Sequence, residues 1–145
     1  MLKDKILLKP TCPEDHGIWR DFQPKFMLTN QLYNYAVFFE RILFKVSKSY
    51  IKELVTVVEY RHIFGFLFDE DGPISLEREV NIFYSVQKML QVRFPLFKLK
   101  IIVCGLKIAG KGHIQLMLDK MEERKQDAWS LIAGFDMVNE EDYHE

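Results

Sequence analysis

The sequence predicts an α/β fold in which parallel strands alternate with helices. Three short apolar segments rich in Val, Ile and Leu each follow a longer segment whose apolar residues recur every three or four positions. Such alternation is typical of parallel strands joined by right-handed crossovers. Two architectures fit three units of this kind: a small open doubly wound sheet, or a slice of an eight-stranded barrel. Periodicity alone does not choose between them.

The first unit begins after an aromatic segment, 19–26, that is predicted to be a loop or turn because it contains Pro24 between aromatic residues. A helix is predicted next, with apolar positions at Leu32, Tyr35, Phe39, Ile42, Val46 and Tyr50. The segment 54–61 follows it. This segment is rich in β-branched residues and short enough to be a buried parallel strand.

The second unit begins at a turn predicted for residues 69–73, Asp-Glu-Asp-Gly-Pro. Ser75 is predicted to cap the next helix and Pro95 to end it. The apolar positions of that helix are Val80, Phe83, Val86 and Leu90. Residues 99–106 form an apolar run and are predicted to be the second strand.

The third unit begins at Gly110 and Gly112, which predict a loop. The helix after the loop has one apolar face, formed by Ile114, Met117, Leu118 and Met121. The third strand is predicted from Leu131 to Asp136.

Composition limits the classes of function. The 145 residues are 48% hydrophobic, which is enough for one domain with a core. Lys and Arg number 20 against 21 Asp and Glu, so no strong positive field attracts nucleic acid. No apolar run approaches the roughly 20 residues that span a bilayer, and the start of the chain does not resemble a signal peptide. Cys104 lies in an apolar run and is expected to be a buried free thiol.

The histidines do not predict a metal site. His16, His62, His113 and His144 are far apart, and neither the His-x-His nor the His-x-x-x-His spacing occurs. Each is therefore expected to be a surface or loop residue. The segment 110–113, Gly-Lys-Gly-His, lacks the glycine spacing and the Ser or Thr of a phosphate-binding loop. No Ser-His-Asp or Cys-His arrangement is indicated either.

Charged residues mark the strand ends. Glu59 and Arg61 share a face of the first strand, and in a barrel that face would point inward and hold an ion pair. Asp136 ends the third strand, and the acidic segment 140–142 follows it. Parallel α/β folds place binding and catalytic groups at this end of their strands. We therefore expect the chain to be a fragment of a larger enzyme.

Several of these motifs together resemble the adenosine deaminase superfamily, most closely the secreted branch of adenosine deaminase-related growth factors. The resemblance lies in Val58-Glu59-Tyr60-Arg61, Lys100-Ile101-Ile102, Ala133-Gly134-Phe135-Asp136-Met137-Val138 and Glu141-Asp142. Trp19, Phe22 and Phe26 match a Trp-x-x-Phe-x-x-x-Phe segment that precedes the long helix in that branch. The resemblance as a whole covers residues 19–142.

The resemblance implies a partial (β/α)8 TIM barrel in which the three strands are about strands 2–4 of the family. Residues 1–18 would be an N-terminal lead, and 19–145 the barrel segment. The implied reaction is hydrolytic deamination of adenosine to inosine with zinc as the cofactor. The zinc ligands and the catalytic Glu of the family match no position of this chain, so we expect no metal ligands here and no activity from the chain alone.

A substrate pocket is also implied. By resemblance, Trp19, Phe22 and Phe26 line the nucleoside site. Asn139 occupies a position where the family has a glycine whose backbone N–H contacts a purine ring nitrogen. Leu106 occupies a position where some members have a histidine at the end of their third strand. Both departures would weaken substrate affinity.

The same resemblance implies a purine nucleoside as ligand, a homodimer and an extracellular location. The balanced charge and the lack of a membrane-spanning run predict no nucleic acid or membrane partner. Two other hypotheses remain open: a degenerate member kept for growth-factor or binding activity, and an unrelated small α/β interaction domain.

Overall fold

Three parallel strands form the centre of the computed structural model. It describes residues 17–122 and 130–139, with the backbone alone for 17–21 and 23. The helices are α1 (Gly17–Tyr33), α2 (Ala36–Lys52), α3 (Leu76–Gln91) and α4 (Gly110–Glu122), with a 3-10 turn at Lys107–Ala109. The strands are β1 (Val57–His62), β2 (Phe68–Asp69), β3 (Gly72–Pro73), β4 (Lys98–Leu106) and β5 (Ile132–Val138). The predicted mixed α/β architecture with a parallel sheet is confirmed.

Strand β4 lies between β1 and β5 and pairs with both in parallel. The β1 register runs from Val57 opposite Lys98 to His62 opposite Val103. The β5 register shifts by one residue between Ile101 and Ile102. Strand order along the sheet therefore follows chain order, as expected when each crossover joins neighbouring strands.

The helices pack on one face of this sheet. Alternate residues of β4, namely Leu99, Ile101 and Val103, are buried in a core that includes Phe39 of α2 and Phe83 of α3. The residues predicted to line the second helix are all buried, and Met117 and Met121 of α4 join the same core. The opposite face, which includes Glu59, Arg61 and Ala133, is covered by no helix among the described residues.

The prediction of a loop at 19–26 is wrong, because these residues lie within α1, with Pro24 inside the helix. Phe22 and Phe26 are one helical turn apart and meet edge to face, with ring centroids 4.6 Å apart. Such (i, i+4) aromatic pairs support a helix that Pro24 weakens. The long helix predicted to include Leu32 is also divided in two, since α2 begins only at Ala36.

Smaller boundaries also differ from prediction. Strand β1 begins at Val57 because the preceding residues close the end of α2, where the Val55 N–H donates to the Tyr50 carbonyl. Helix α3 ends at Gln91, ahead of Pro95. The segment 110–113 forms the first turn of α4. Strand β5 extends two residues beyond Asp136.

The predicted turn and helix cap are confirmed. Strands β2 and β3 form a short antiparallel hairpin around residues 69–73. The Ser75 hydroxyl accepts a hydrogen bond from the Arg78 N–H at 3.2 Å, as an N-cap residue does. Arg78 also pairs with Asp69, which ties the hairpin to α3. None of the described helices combines the length and the apolarity that crossing a bilayer requires.

A buried polar pair joins the end of β1 to α3. His62 Nε2 lies 2.8 Å from Glu79 Oε2, and the two side chains are 7% and 0% exposed. The other carboxylate oxygen of Glu79 accepts a hydrogen bond from the Gly65 N–H at 3.0 Å. The rings of Phe39, Phe64 and Phe83 surround the imidazole. The prediction that His62 is a surface or loop residue is therefore wrong.

We expect Glu79→Ala to lower the free energy of unfolding by roughly 3 kcal/mol, because it leaves the His62 imidazole and the Gly65 N–H buried without a partner. Glu79→Gln should cost less, since an amide can still accept from Gly65. Urea denaturation followed by circular dichroism measures both. Glu77→Gln, on an exposed position of the same helix, is the control. Equal losses in Glu79→Ala and Glu77→Gln would contradict a structural role for the pair.

Candidate functional site

The uncovered face of the sheet carries a polar group near the carboxyl ends of its strands. Parallel register places Arg61 of β1 opposite Ile102, and Cys104 opposite Asp136 of β5. Alternate residues point to the same face of a strand, so all four share the face that no described helix covers. Carboxyl ends of parallel strands are where α/β folds bind their ligands.

An ion pair crosses the central strand on this face. Arg61 Nε donates to Asp136 Oδ2 at 2.8 Å, although the two residues belong to the outer strands. The sequence predicted that Glu59 and Arg61 share a face of β1. In the structure, the ion-pair partner of Arg61 is Asp136, 75 residues further along the chain. The two side chains are 65% and 38% exposed, so the pair faces solvent.

The pair changes the electrostatics around it. The hydrogen bond from Arg61 lowers the pKa of Asp136 below its ordinary value, and the same bond raises the pKa of Arg61. Burial, followed by the charge of Asp136, raises the pKa of the Cys104 thiol. Cys104 is 1% exposed and forms no disulfide, which confirms the predicted buried free thiol. The thiol therefore stays protonated at neutral pH and is a poor nucleophile.

Two of the predicted substrate-binding residues lie side by side at this end of the sheet. Leu106 is the last residue of β4 and pairs with Val138, the last residue of β5. Asn139 follows directly, with a backbone φ of 135°. That positive φ favours glycine and is uncommon in other residues. Asparagine adopts positive φ more readily than most residues other than glycine.

The three predicted aromatic residues lie on another element. Trp19, Phe22 and Phe26 belong to α1, which packs against α2. Phe22 is half-buried and Phe26 is 50% exposed, whereas the side chain of Trp19 is outside the described residues. Leu106 and Asn139 lie together at the carboxyl end of the sheet, whereas Phe22 and Phe26 lie on α1.

Helix α1 nevertheless ends near the carboxyl end of β1. The Asn34 carbonyl accepts a hydrogen bond from the Phe68 N–H in the hairpin that follows β1. Tyr33, in the last turn of α1, and Arg61 both line a cleft of about 490 Å³ along the free edge of β1. Tyr50 and Tyr60 also line this cleft. Burial, together with these neighbouring tyrosines, raises the pKa of Tyr60 to about 12.

The described residues can be compared with the ligands that the implied zinc ion would need. Among residues 17–122 and 130–139, no group of three or more His, Cys, Asp and Glu side chains is arranged to hold a metal ion. Asp136 is paired with Arg61, and Cys104 keeps its proton. These residues do not fit a zinc site. His113, expected on the surface or in a loop, is half-buried in α4, and its Nε2 has no hydrogen-bond partner in the described part of the chain.

Comparison with known proteins gives three relatives that share one name. An adenosine deaminase of Lutzomyia longipalpis is 28% identical over 148 aligned positions, which cover 97% of this chain and 29% of the relative. An adenosine deaminase of Aedes albopictus is 25% identical and covers 87% of this chain and 24% of the relative. A third, from Phlebotomus duboscqi, is 26% identical. The chain is similar to adenosine deaminases.

This similarity supports the adenosine deaminase superfamily without selecting one branch of it. The chain spans less than a third of the length of these curated relatives. No family model matches the sequence. The predictions for Trp19, Phe22, Phe26, Leu106 and Asn139 as substrate-binding residues stay predictions.

We expect Arg61→Gln to raise the pKa of Asp136 toward its ordinary value, because the hydrogen bond that favours the carboxylate is lost. The pair stabilises the fold above the unfolded-state pKa of Asp136, and this contribution is lost as pH falls through the lower folded-state value. Carboxyl carbon chemical shifts recorded across a pH titration measure the change. Lys107→Gln should have a smaller effect, because Lys107 contributes less to the shift. An unchanged pKa in Arg61→Gln would contradict the assignment of the pair.

Proposed function

We propose that this chain forms the substrate-facing wall of an adenosine deaminase-type enzyme, as three neighbouring strands of a (β/α)8 barrel. The observation that carries the proposal is the similarity to adenosine deaminases along 97% of the chain. The matched relatives are more than three times longer, which leaves room for the remaining strands. The activity of the whole protein would therefore depend on segments outside these residues.

The arrangement of layers supports a barrel slice over an open doubly wound sheet. A doubly wound sheet carries helices on both faces, whereas a barrel carries them only outside. The described helices α2, α3 and α4 contribute to one core on one face of β4. Arg61 and Asp136 would then point into the barrel, where layers of side chains from alternate strands meet.

The backbone at Asn139 supports a nucleoside site at the carboxyl end. Its φ of 135° is a conformation that glycine adopts readily, and glycine is the residue expected there by resemblance. The Asn139 N–H would donate to a purine ring nitrogen, and the ion pair between Arg61 and Asp136 would fix the end of β5 that presents it. Helix α1, with Phe22 and Phe26, would cover the nucleoside and exclude water.

Zinc would activate the attacking water in such an enzyme. The described residues do not fit a zinc site, so the role proposed for this chain is to bind and orient the nucleoside. A rival hypothesis, a non-enzymatic binding or growth-factor protein, rests on Leu106 and Asn139, which depart from the residues that the resemblance leads us to expect. Both hypotheses predict the same fold, and they differ in whether this segment can support turnover.

A chimera separates these hypotheses. We expect the Lutzomyia longipalpis adenosine deaminase, with its matched segment replaced by this chain, to deaminate adenosine at a reduced rate. The fall in absorbance as adenosine becomes inosine measures turnover, and the parent enzyme is the positive control. A chimera that melts cooperatively and retains zinc but gives no turnover would contradict the proposed function and favour the binding hypothesis.

We expect Asn139→Gly in the same chimera to lower KM for adenosine severalfold with little change in kcat. Glycine relieves the strained backbone and removes a side chain that crowds the purine, which improves ground-state and transition-state binding alike. Glu53→Gln, at the opposite end of the sheet, is the control. A rise in KM on Asn139→Gly would show that the asparagine side chain itself binds substrate.

A further inference from the structure

A second surface lies at the amino ends of the strands, opposite the candidate site. It consists of two turns, residues 52–56 after α2 and residues 92–98 after α3, which we call the amino-end surface. The Lys98 N–H donates to the Thr56 carbonyl at 2.8 Å and joins the two turns. The proposed function does not use this surface.

Aliphatic side chains project from both turns. Leu54 is 89% exposed, Val92 is 83% exposed and Leu96 is 78% exposed. Leu54 and Leu96 also border one shallow cleft of about 300 Å³, together with Phe94. Single exposed apolar residues are ordinary, but a group on two joined turns forms a patch of the kind found at interaction sites.

The backbone holds these side chains outward. Leu54 has a φ of 65°, at the residue after a helix end where glycine is the usual choice. A leucine there is strained, and its side chain gains almost no burial in return. In the other turn, the Phe97 carbonyl accepts a hydrogen bond from Gln91 Nε2 at 2.8 Å, and the Phe97 N–H donates to the Phe94 carbonyl at 2.9 Å.

The charge of the amino-end surface differs from that of the whole chain. The two turns carry three exposed cations, Lys52, Arg93 and Lys98, and one exposed carboxylate, Glu53. The whole chain has a formal net charge of −1. Apolar side chains that project between cations match the boundary of an anionic bilayer, where acyl chains lie just below negative headgroups.

We propose that the amino-end surface docks onto an anionic lipid bilayer. Leu54 and Leu96 enter the headgroup region, and Lys52, Arg93 and Lys98 contact the lipid phosphates. A partner protein is less suited, because the most exposed side chains project outward and the cleft beside them is shallow. The sequence predicted no membrane partner because it has no spanning segment, but docking on a surface needs none.

Flotation with lipid vesicles tests the proposal, because aggregated protein sinks while bound protein rises with the lipid. We expect the chain to float with phosphatidylcholine vesicles that contain about one-third phosphatidylserine, on the order of tenfold more strongly than with pure phosphatidylcholine. Leu54→Ser combined with Leu96→Ser should reduce binding at least about tenfold. Replacing Lys52, Arg93 and Lys98 together by Gln should abolish the preference for phosphatidylserine.

Matched controls lie elsewhere on the chain. Ile108→Ser combined with Leu116→Ser removes exposed aliphatic residues outside the amino-end surface, and replacing Arg41, Lys45 and Lys111 by Gln removes three exposed cations. Neither control should change binding. Absence of flotation, equal binding to both vesicle types, or equal losses in test and control variants would each overturn the proposal. Circular dichroism confirms that every variant is folded.

Discussion

Strand β4 is hydrogen-bonded along both of its edges, and the described structure is organised around it. One face of β4 is buried against the helices through Leu99, Ile101 and Val103, which are at most 1% exposed. The other face lies beneath the ion pair that joins β1 to β5. Burial of apolar area on the helix side supplies most of the stability, whereas the solvent-facing ion pair contributes little. The pair therefore matters mainly for orienting the strand ends.

The sequence predicted the units of the fold well where the apolar pattern was regular. Helix α3 and strand β4 are examples, because Val80, Phe83 and Val86 follow the helical period and residues 99–106 form one continuous apolar run. Helix α1 was missed because Pro24 is a strong local signal against a helix. Here the contacts along the helix and with α2 outweigh that local preference.

The candidate site was predicted only in part, since its contacts join residues distant in the sequence. Arg61, Asp136 and Asn139 could be chosen as candidates from the sequence, because they lie at or just after strand ends. The partner of Arg61 could not, because it depends on the register of two strand pairings. The pair between His62 and Glu79 had no sequence signal, because a lone histidine and one helical carboxylate look like surface residues. Only packing around three phenylalanine rings places them in the core.

The agreement between strand order and chain order has a consequence for biosynthesis. Each long strand pairs with the one made just before it, so the sheet can grow from β1 as the chain leaves the ribosome. The paired strands are nevertheless far apart in the chain, because a helix lies between them, and such non-local pairing slows folding. After each step the newest strand presents an open edge that any other extended chain could occupy. Of the three parallel strands described, β5 is made last, so its free edge is where chaperone protection would matter most.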